Sequence, residues 1–112
     1  MSHNLPNDNV NGLNKELCKD IVNKILSYKK AEKIVLYGSR AKNHFKRTSD
    51  IDIAIFSKAW SNTDINLAKD ILDDQIKTPL KIDLVNFYAI TKKGLIENII
   101  NNGIVLYDRK QN

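Results

Sequence analysis

The chain is poor in the residues that cross-link or interrupt a fold, since its 112 residues include one cysteine, two prolines and four glycines. A single cysteine can build neither a disulfide framework nor a cysteine-based metal site, so we expect Cys18 to be a buried thiol in a reducing compartment. The sequence also has no apolar run of membrane-spanning length and no signal-peptide segment. These absences predict a cytoplasmic protein that does not enter a membrane.

Positive charge exceeds negative charge, with 18 Lys and Arg against 13 Asp and Glu, a formal charge of +5 and a pI near 9.3. Such a balance favours anionic partners, which can be nucleotides, nucleic acids or acidic protein surfaces. The basic residues are dispersed, however, in runs of no more than two, and aromatic residues do not alternate with them. We therefore expect a solvated basic surface and no stable nucleic-acid binding.

Hydrophobic periodicity predicts one domain over residues 11–112, preceded by a polar, flexible arm over residues 1–10. Asn11 and Gly12 are expected to turn the chain into a first helix over 13–28. Further helices are predicted from the cap at Ser61 to the break at Pro79, and from a cap at Thr91 to residue 102. Strands are predicted over 34–37, 50–56, 81–87 and 104–107. This order indicates an α/β (α+β) fold, with helices flanking a mixed sheet.

A Gly-Ser pair follows the first predicted strand and is typical of a phosphate-binding turn. Gly38 lets the backbone approach a phosphate closely, and the Ser39 hydroxyl and the following amides can donate hydrogen bonds to it. Ser39 also suits the cap of a short helix, whose N-terminus favours anions. Arg40 has two interpretations, because it can neutralise triphosphate charge or hold the turn through a local salt bridge.

Two aspartates, Asp50 and Asp52, alternate with isoleucines in the second predicted strand. Residues two apart on a strand share a face, so the two carboxylates project together and repel each other unless a cation lies between them. Asp83 completes the set if its strand lies beside theirs. Carboxylate oxygens suit Mg²⁺, and three of them suffice for two bridging ions of the kind that promote phosphoryl transfer.

Each of these signals is weak alone, because most Gly-Ser turns are only turns and most isolated Asp-x-Asp pairs are exposed polar edges. The prediction rests on their order along the chain: strand, Gly-Ser, ten residues, Asp-x-Asp, and a later strand aspartate. Outside this set, His44 is interpreted as a surface residue. Trp60, Tyr88 and the pair Ile99 and Ile100 are interpreted as packing residues.

The chain resembles the DNA polymerase beta-like nucleotidyltransferase superfamily in two motifs, Gly38-Ser39-Arg40-Ala41 and Ser49-Asp50-Ile51-Asp52-Ile53. Its short length is similar to that of the minimal nucleotidyltransferases, the MntA-like antitoxins of HEPN/MNT toxin–antitoxin pairs. Many relatives read Gly-Ser-Arg-Ala-Arg-Gly, whereas this chain has Lys42 and Asn43 at the last two positions. Asparagine tolerates the left-handed conformation that glycine supplies, so we expect the turn to be kept.

The resemblance implies that Gly38, Ser39 and Arg40 bind the nucleotide, and that Asp50, Asp52 and Asp83 are catalytic and hold two Mg²⁺ ions. It implies ATP as the donor of AMP, and a tyrosine hydroxyl of a HEPN-domain toxin as the acceptor. Two alternatives stay open. The domain can be a non-enzymatic antitoxin or nucleotide-binding regulatory subunit that acts by forming a complex with a HEPN partner. It can also add nucleotides to RNA without a template.

Overall fold

A four-stranded mixed sheet forms the centre of the protein in the computed structural model, which describes residues 9–111. Its strands are β3 (Lys33–Tyr37), β4 (Ile51–Phe56), β5 (Ile82–Asn86) and β6 (Ile104–Asp108), in the spatial order β5-β4-β3-β6. β4 and β5 are parallel, and the other two pairings are antiparallel. The predicted α+β class and the four predicted strands are confirmed, with ends shifted by no more than one residue.

Three helices flank this sheet: α1 (Lys15–Tyr28), α2 (Asn62–Gln75) and α3 (Lys93–Asn102). Two short 3-10 helices, Phe87–Ala89 and Arg109–Gln111, follow β5 and β6. The prediction of a Thr91 cap is wrong, since Lys92 is the cap residue of α3 and its side chain makes no capping hydrogen bond. None of the helices in residues 9–111 combines the length and apolar character needed to cross a membrane.

The sheet divides the hydrophobic core into two layers, because successive side chains of a strand point to opposite faces. On one face, α1 and α2 pack against Ile51, Ile53 and Ile55. On the other face, Ala54 packs with Val35, Tyr37 and Ile99 of α3. Cys18 is buried in the first layer, as predicted. Ile100 is not a core residue, because α3 turns it outward and leaves it 65% exposed.

The first described residues form a short hairpin. β1 (Asn9–Val10) pairs with β2 (Leu13–Asn14) through a turn at Asn11 and Gly12, whose φ angles are +46° and +82°. Positive φ at both central residues is the geometry that Asn-Gly favours between paired strands. The prediction that this pair leads straight into a helix is therefore wrong. Of the predicted arm, residues 1–8 lie outside the described part, and residues 9 and 10 are in β1.

The start of α2 has the predicted capping box. The Ser61 hydroxyl accepts from the Asp64 amide, and the Asp64 carboxylate accepts from the Ser61 amide at 2.8 Å. Asp64 also accepts from the Tyr28 hydroxyl at 2.6 Å and from Lys29 Nζ at 2.9 Å. The predicted packing role of Trp60 is confirmed by its burial, its edge contact with the Tyr28 ring and its indole hydrogen bond to the Lys30 carbonyl.

This network predicts a pH-dependent contribution to stability. The hydrogen bonds from Tyr28, Ser61 and Lys29 hold the pKa of Asp64 well below its usual range. A lowered pKa in the folded state stabilises the protein above the unfolded-state pKa of about 3.9, and this contribution is lost as the pH falls. We expect Asp64→Asn to lower the free energy of unfolding near pH 7 and to have a smaller effect near pH 3. Urea unfolding at the two pH values measures this, and equal effects at both would contradict it.

Candidate functional site

The strand register brings three aspartates together at one end of the sheet. Asp52 of β4 lies directly opposite Asp83 of the parallel strand β5, and Asp50 precedes Asp52 by two residues. Each of the three offers a carboxylate oxygen within 4.8 Å of the other two. The predicted convergence of Asp83 with Asp50 and Asp52 is therefore confirmed. Asp50 is exposed, and Asp52 and Asp83 are half-buried.

The surroundings of Asp52 disfavour its ionised form. Burial, followed by the charges of Asp83 and Asp50, raises the pKa of Asp52, and the nearby Lys81 partly opposes that rise. The Lys81 Nζ lies 3.8 Å from the Asp83 carboxylate. Sequence reasoning missed Lys81, although its position two residues before Asp83 is the signal for a shared strand face. The crowded carboxylates favour a cation, which would remove the repulsion.

Tyr37 is a second residue that sequence reasoning did not assign to the site. It ends β3 directly opposite Asp52, so its buried ring lies in the same row of side chains as Asp52 and Asp83. Burial, and then the charges of Asp52 and Asp83, raise the pKa of Tyr37 to about 12. Tyr37 therefore stays neutral beside the carboxylates.

Gly38 follows Tyr37 and lies against the Asp52 carboxylate. Its φ is +79°, and a Cβ placed on it would collide with Asp52 Oδ2. The conformation favours glycine, and a side chain at this position would also displace the Asp52 carboxylate. The turn and the aspartates are thus one site, because the backbone of residue 38 is in contact with the central carboxylate.

Residues 38–43 form consecutive turns, and the short helix predicted to begin at Ser39 is absent. The Lys42 amide donates to the Gly38 carbonyl at 3.2 Å, and the His44 amide donates to the Ser39 carbonyl at 3.0 Å. Asn43 has φ +63°, which confirms that asparagine takes the left-handed conformation here and which stops helical propagation. The helix-dipole contribution to anion binding predicted at Ser39 therefore does not apply. The predicted surface position of His44 is confirmed.

Arg40 is buried beneath the turn, with 1% of its surface exposed. Its guanidinium donates to the carbonyls of Ser49, Asn11 and Arg47 at 2.9 to 3.3 Å and lies 5.1 Å from the centre of the Phe45 ring. This favours the interpretation that Arg40 holds the turn, although it does so through carbonyl groups and not through a salt bridge. A buried side chain with these partners is not free to neutralise a triphosphate.

The guanidinium of Arg40 therefore links three chain segments, namely the N-terminal hairpin, the turn and the residue before Asp50. We expect Arg40→Met to lower the free energy of unfolding by about 3 kcal/mol, because it leaves several part-buried carbonyls without donors while keeping an aliphatic side chain. The matched control is Arg47→Met, an exposed arginine of the same loop, for which we expect a change within about 0.5 kcal/mol. Denaturant unfolding of both variants measures the difference, and similar losses would contradict it.

The donor set of this site fits Mg²⁺. All three candidate ligands are carboxylates, they converge on one point, and Asp50 leaves one side open to solvent. Mg²⁺ prefers oxygen ligands and commonly completes its coordination with water and substrate phosphates. Asp50, Asp52 and Asp83 would therefore hold the metal, with the Gly38-Ser39 backbone beside it.

The fold agrees with the comparisons to known proteins. A family model described as "Polymerase beta, Nucleotidyltransferase" matches residues 19–112. The chain belongs to this nucleotidyltransferase family. Its three aspartates and its Gly-Ser turn lie within the matched residues, as does every strand of the four-stranded sheet. No curated protein matches the chain significantly.

Solved structures share the nucleotidyltransferase fold of this chain. A mutant of the toxin–antitoxin pair MntA-HpeT is 21% identical, with a TM-score of 0.68, covering 84% of this chain and 75% of the other. A toxin–antitoxin structure with AMP-PNP is 23% identical, with a TM-score of 0.67 and coverage of 88% and 77%. The pair MntA-HepT is 21% identical, with a TM-score of 0.60 and coverage of 86% and 74%.

Proposed function

We propose that this nucleotidyltransferase is an Mg²⁺-dependent protein adenylyltransferase that moves AMP from ATP to a tyrosine hydroxyl of a HEPN-domain partner. The observation that carries the proposal is the convergence of three carboxylates within 4.8 Å beside the Gly38 backbone. Such a site can hold the cations that accompany a nucleoside triphosphate next to a turn that accepts its phosphates.

Each residue of the site has a distinct part in this proposal. Asp50 and Asp52 would hold two Mg²⁺ ions, and Asp83 would hold one of them. When bound, these ions neutralise charge on the reacting phosphate and on the leaving pyrophosphate. Gly38 and Ser39 donate hydrogen bonds to the triphosphate from the exposed side of the turn.

Asp83 also helps to accept the proton of the attacking hydroxyl. The acceptor oxygen forms a bond to the α-phosphorus of ATP while the bond from that phosphorus to pyrophosphate breaks. The fixed strand register keeps Asp83 opposite Asp52, so the proton acceptor and the metal ligands move as one unit.

A partner protein as acceptor agrees with two observations. Apart from the short hairpin of β1 and β2, which packs on α1, the helices and strands of residues 9–111 build or cover the four-stranded sheet, and no separate acceptor-binding unit is present among them. A chain in each of the toxin–antitoxin structures MntA-HpeT and MntA-HepT shares this fold, and another toxin–antitoxin structure with a chain of this fold contains AMP-PNP. These similarities support an antitoxin role and ATP as the nucleotide.

The experiment that tests this function is transfer of labelled AMP from ATP to a co-expressed HEPN-domain protein. We expect Mg²⁺-dependent labelling on a tyrosine of that partner, located by peptide mass spectrometry. Labelling that persists undiminished with Asp52→Ala would refute the assigned site. Neutralisation of the toxin by Asp50→Ala/Asp52→Ala as strong as that by the wild-type chain would refute enzymatic neutralisation and would favour simple occlusion of the toxin.

A further inference from the structure

A basic surface lies at the opposite end of the sheet from the aspartates. Lys33 begins β3 and is paired with Phe56, the last residue of β4, and with Asp108, the last residue of β6. Tyr37, which faces Asp52, lies four residues further along β3. At about 3.3 Å per residue, the two ends are about 13 Å apart along the strand. This surface is therefore distinct from the aspartate site.

The tertiary structure gathers cations here from three distant parts of the sequence. The side chains of these residues, which are lysines and an arginine, line two adjoining depressions of about 270 and 320 Å³. The two depressions share Glu32 and Arg109. Two carboxylates, those of Glu32 and Asp108, lie among them, so positive charge predominates. None of the cations forms an ion pair with another residue in the range 9–111. We name this set the far-end basic surface: Lys30, Lys33, Lys58, Arg109 and Lys110.

An aromatic cluster lies within the same surface. The rings of Phe56 and Phe87 are stacked with centres 4.1 Å apart, and Tyr88 contacts both of them edge-on. Lys33 lies 5.2 Å from the centre of the Phe56 ring, and Lys58 lies 5.5 Å from that of Tyr88. Tyr88 is nevertheless 44% exposed, which contradicts the expectation that it is simply packed. An exposed ring held by neighbouring rings offers a rigid stacking surface.

We propose that the far-end basic surface binds a single-stranded nucleic acid. Unpaired cations beside an exposed, fixed aromatic ring match the two needs of such a ligand, which are neutralisation of its phosphates and stacking of its bases. An acidic peptide would use the cations but not the ring. Base stacking requires unpaired bases, and therefore a single strand and not a duplex. The sequence prediction of no stable nucleic-acid binding rested on the dispersal of basic residues along the chain. The fold brings five of these residues together on one surface.

The test is fluorescence anisotropy of the full chain with labelled oligonucleotides about 12 nucleotides long, within the usual site size for such surfaces. Single-stranded RNA, single-stranded DNA, the corresponding duplex and an acidic peptide are compared without Mg²⁺ and without ATP. We expect at least one single-stranded oligonucleotide to bind more tightly than the duplex and the peptide. The difference in affinity between single-stranded RNA and single-stranded DNA shows which sugar the surface prefers. Asp52→Asn should bind equally well, which separates this site from the proposed transferase function.

Two variants test the separate contributions of the cations and of the aromatic ring to binding. Lys58→Ala/Arg109→Ala should reduce the slope of log affinity against log salt by about 0.7 for each cation removed. Tyr88→Ala should weaken binding by about fivefold or more with the salt slope unchanged, because it removes a stacking contact and no charge. The charge-matched control is Lys15→Ala/Lys77→Ala, since both are exposed lysines outside the far-end basic surface.

Several outcomes would overturn the proposal. The proposal is wrong if no single strand binds, or if the duplex and the single strand bind equally well. It is also wrong if the acidic peptide binds more tightly, and that result would assign the surface to a protein partner. Equal losses of affinity in Lys15→Ala/Lys77→Ala and in Lys58→Ala/Arg109→Ala would mean that binding depends only on the net charge of the protein. Circular dichroism of each variant ensures that the comparison is between folded proteins.

Discussion

Replacing Asp52 by asparagine is expected to abolish most nucleotidyl transfer while making the metal-free protein more stable. Asp52 is the central carboxylate of the site. Since mutation of even the outer-shell partners of metal ligands lowers metal affinity or activity ten- to a hundredfold, we expect Asp52→Asn to lower the rate of transfer by about a hundredfold or more. Its pKa is raised by burial and by Asp83 and Asp50, which means that the ionised form destabilises the folded state at neutral pH. The uncharged amide removes that repulsion.

Two measurements on the same sample check this opposition between activity and stability. AMP transfer should fall, and thermal unfolding in EDTA should shift to higher temperature. The stability gain should shrink as the pH falls through the raised pKa of Asp52, because protonation relieves the same repulsion in the wild-type chain. Asp74→Asn makes the same chemical change at an exposed position of α2 and should alter neither quantity by much. Loss of stability with Asp52→Asn would contradict the charge argument.

Gly38→Ala is expected to damage both the fold and the site, whereas Gly94→Ala is expected to be harmless or stabilising. At Gly38, alanine must adopt a φ near +79° and places its Cβ on the Asp52 carboxylate. We expect a loss of about 2 kcal/mol or more in the free energy of unfolding. Gly94 lies in α3 with no atom within 4 Å of an added Cβ, so we expect a gain of about 0.5 kcal/mol there.

Urea unfolding of the two variants measures these free energies, and Mg²⁺ titration followed by calorimetry measures the effect on the site. Gly38→Ala should weaken Mg²⁺ binding because the Asp52 carboxylate must move, and Gly94→Ala should leave it unchanged. An unfolding free energy for Gly38→Ala equal to that of the wild type would mean that the turn accommodates a side chain, contrary to the contact described above.

Local patterns were sufficient for much of the fold. Alternation in 50–56 predicted that Asp52 and Ala54 share a face opposite the isoleucines, because the side-chain period of a strand is two. The Ser61–Asp64 capping box and the strand that ends at Tyr37 were equally local. The pattern did not identify the Asn-Gly hairpin, because the strands on either side of that turn have two residues each and no measurable periodicity.

The errors near the site come from interactions between distant segments. Ser39 resembles a helix cap, yet residues 38–43 form turns closed by a left-handed Asn43. Arg40 was predicted to bind the nucleotide, with a role in holding the turn as the other interpretation. It is buried because carbonyls from the N-terminal hairpin and from residues 47 and 49 surround its guanidinium. No pattern near residue 40 specifies those partners.

The sequence by itself determined the pairing of Asp50 with Asp52 on one face, and the Gly-Ser turn that ten residues separate from Asp50, because both depend only on neighbouring residues. The tertiary structure alone decided that Asp83 joins them, since that depends on the parallel register of β4 and β5. It also decided that Tyr37 and Lys81 border the site, and that dispersed lysines form one surface at the far end of the sheet. These are results of strand order, and strand order is a property of the whole chain.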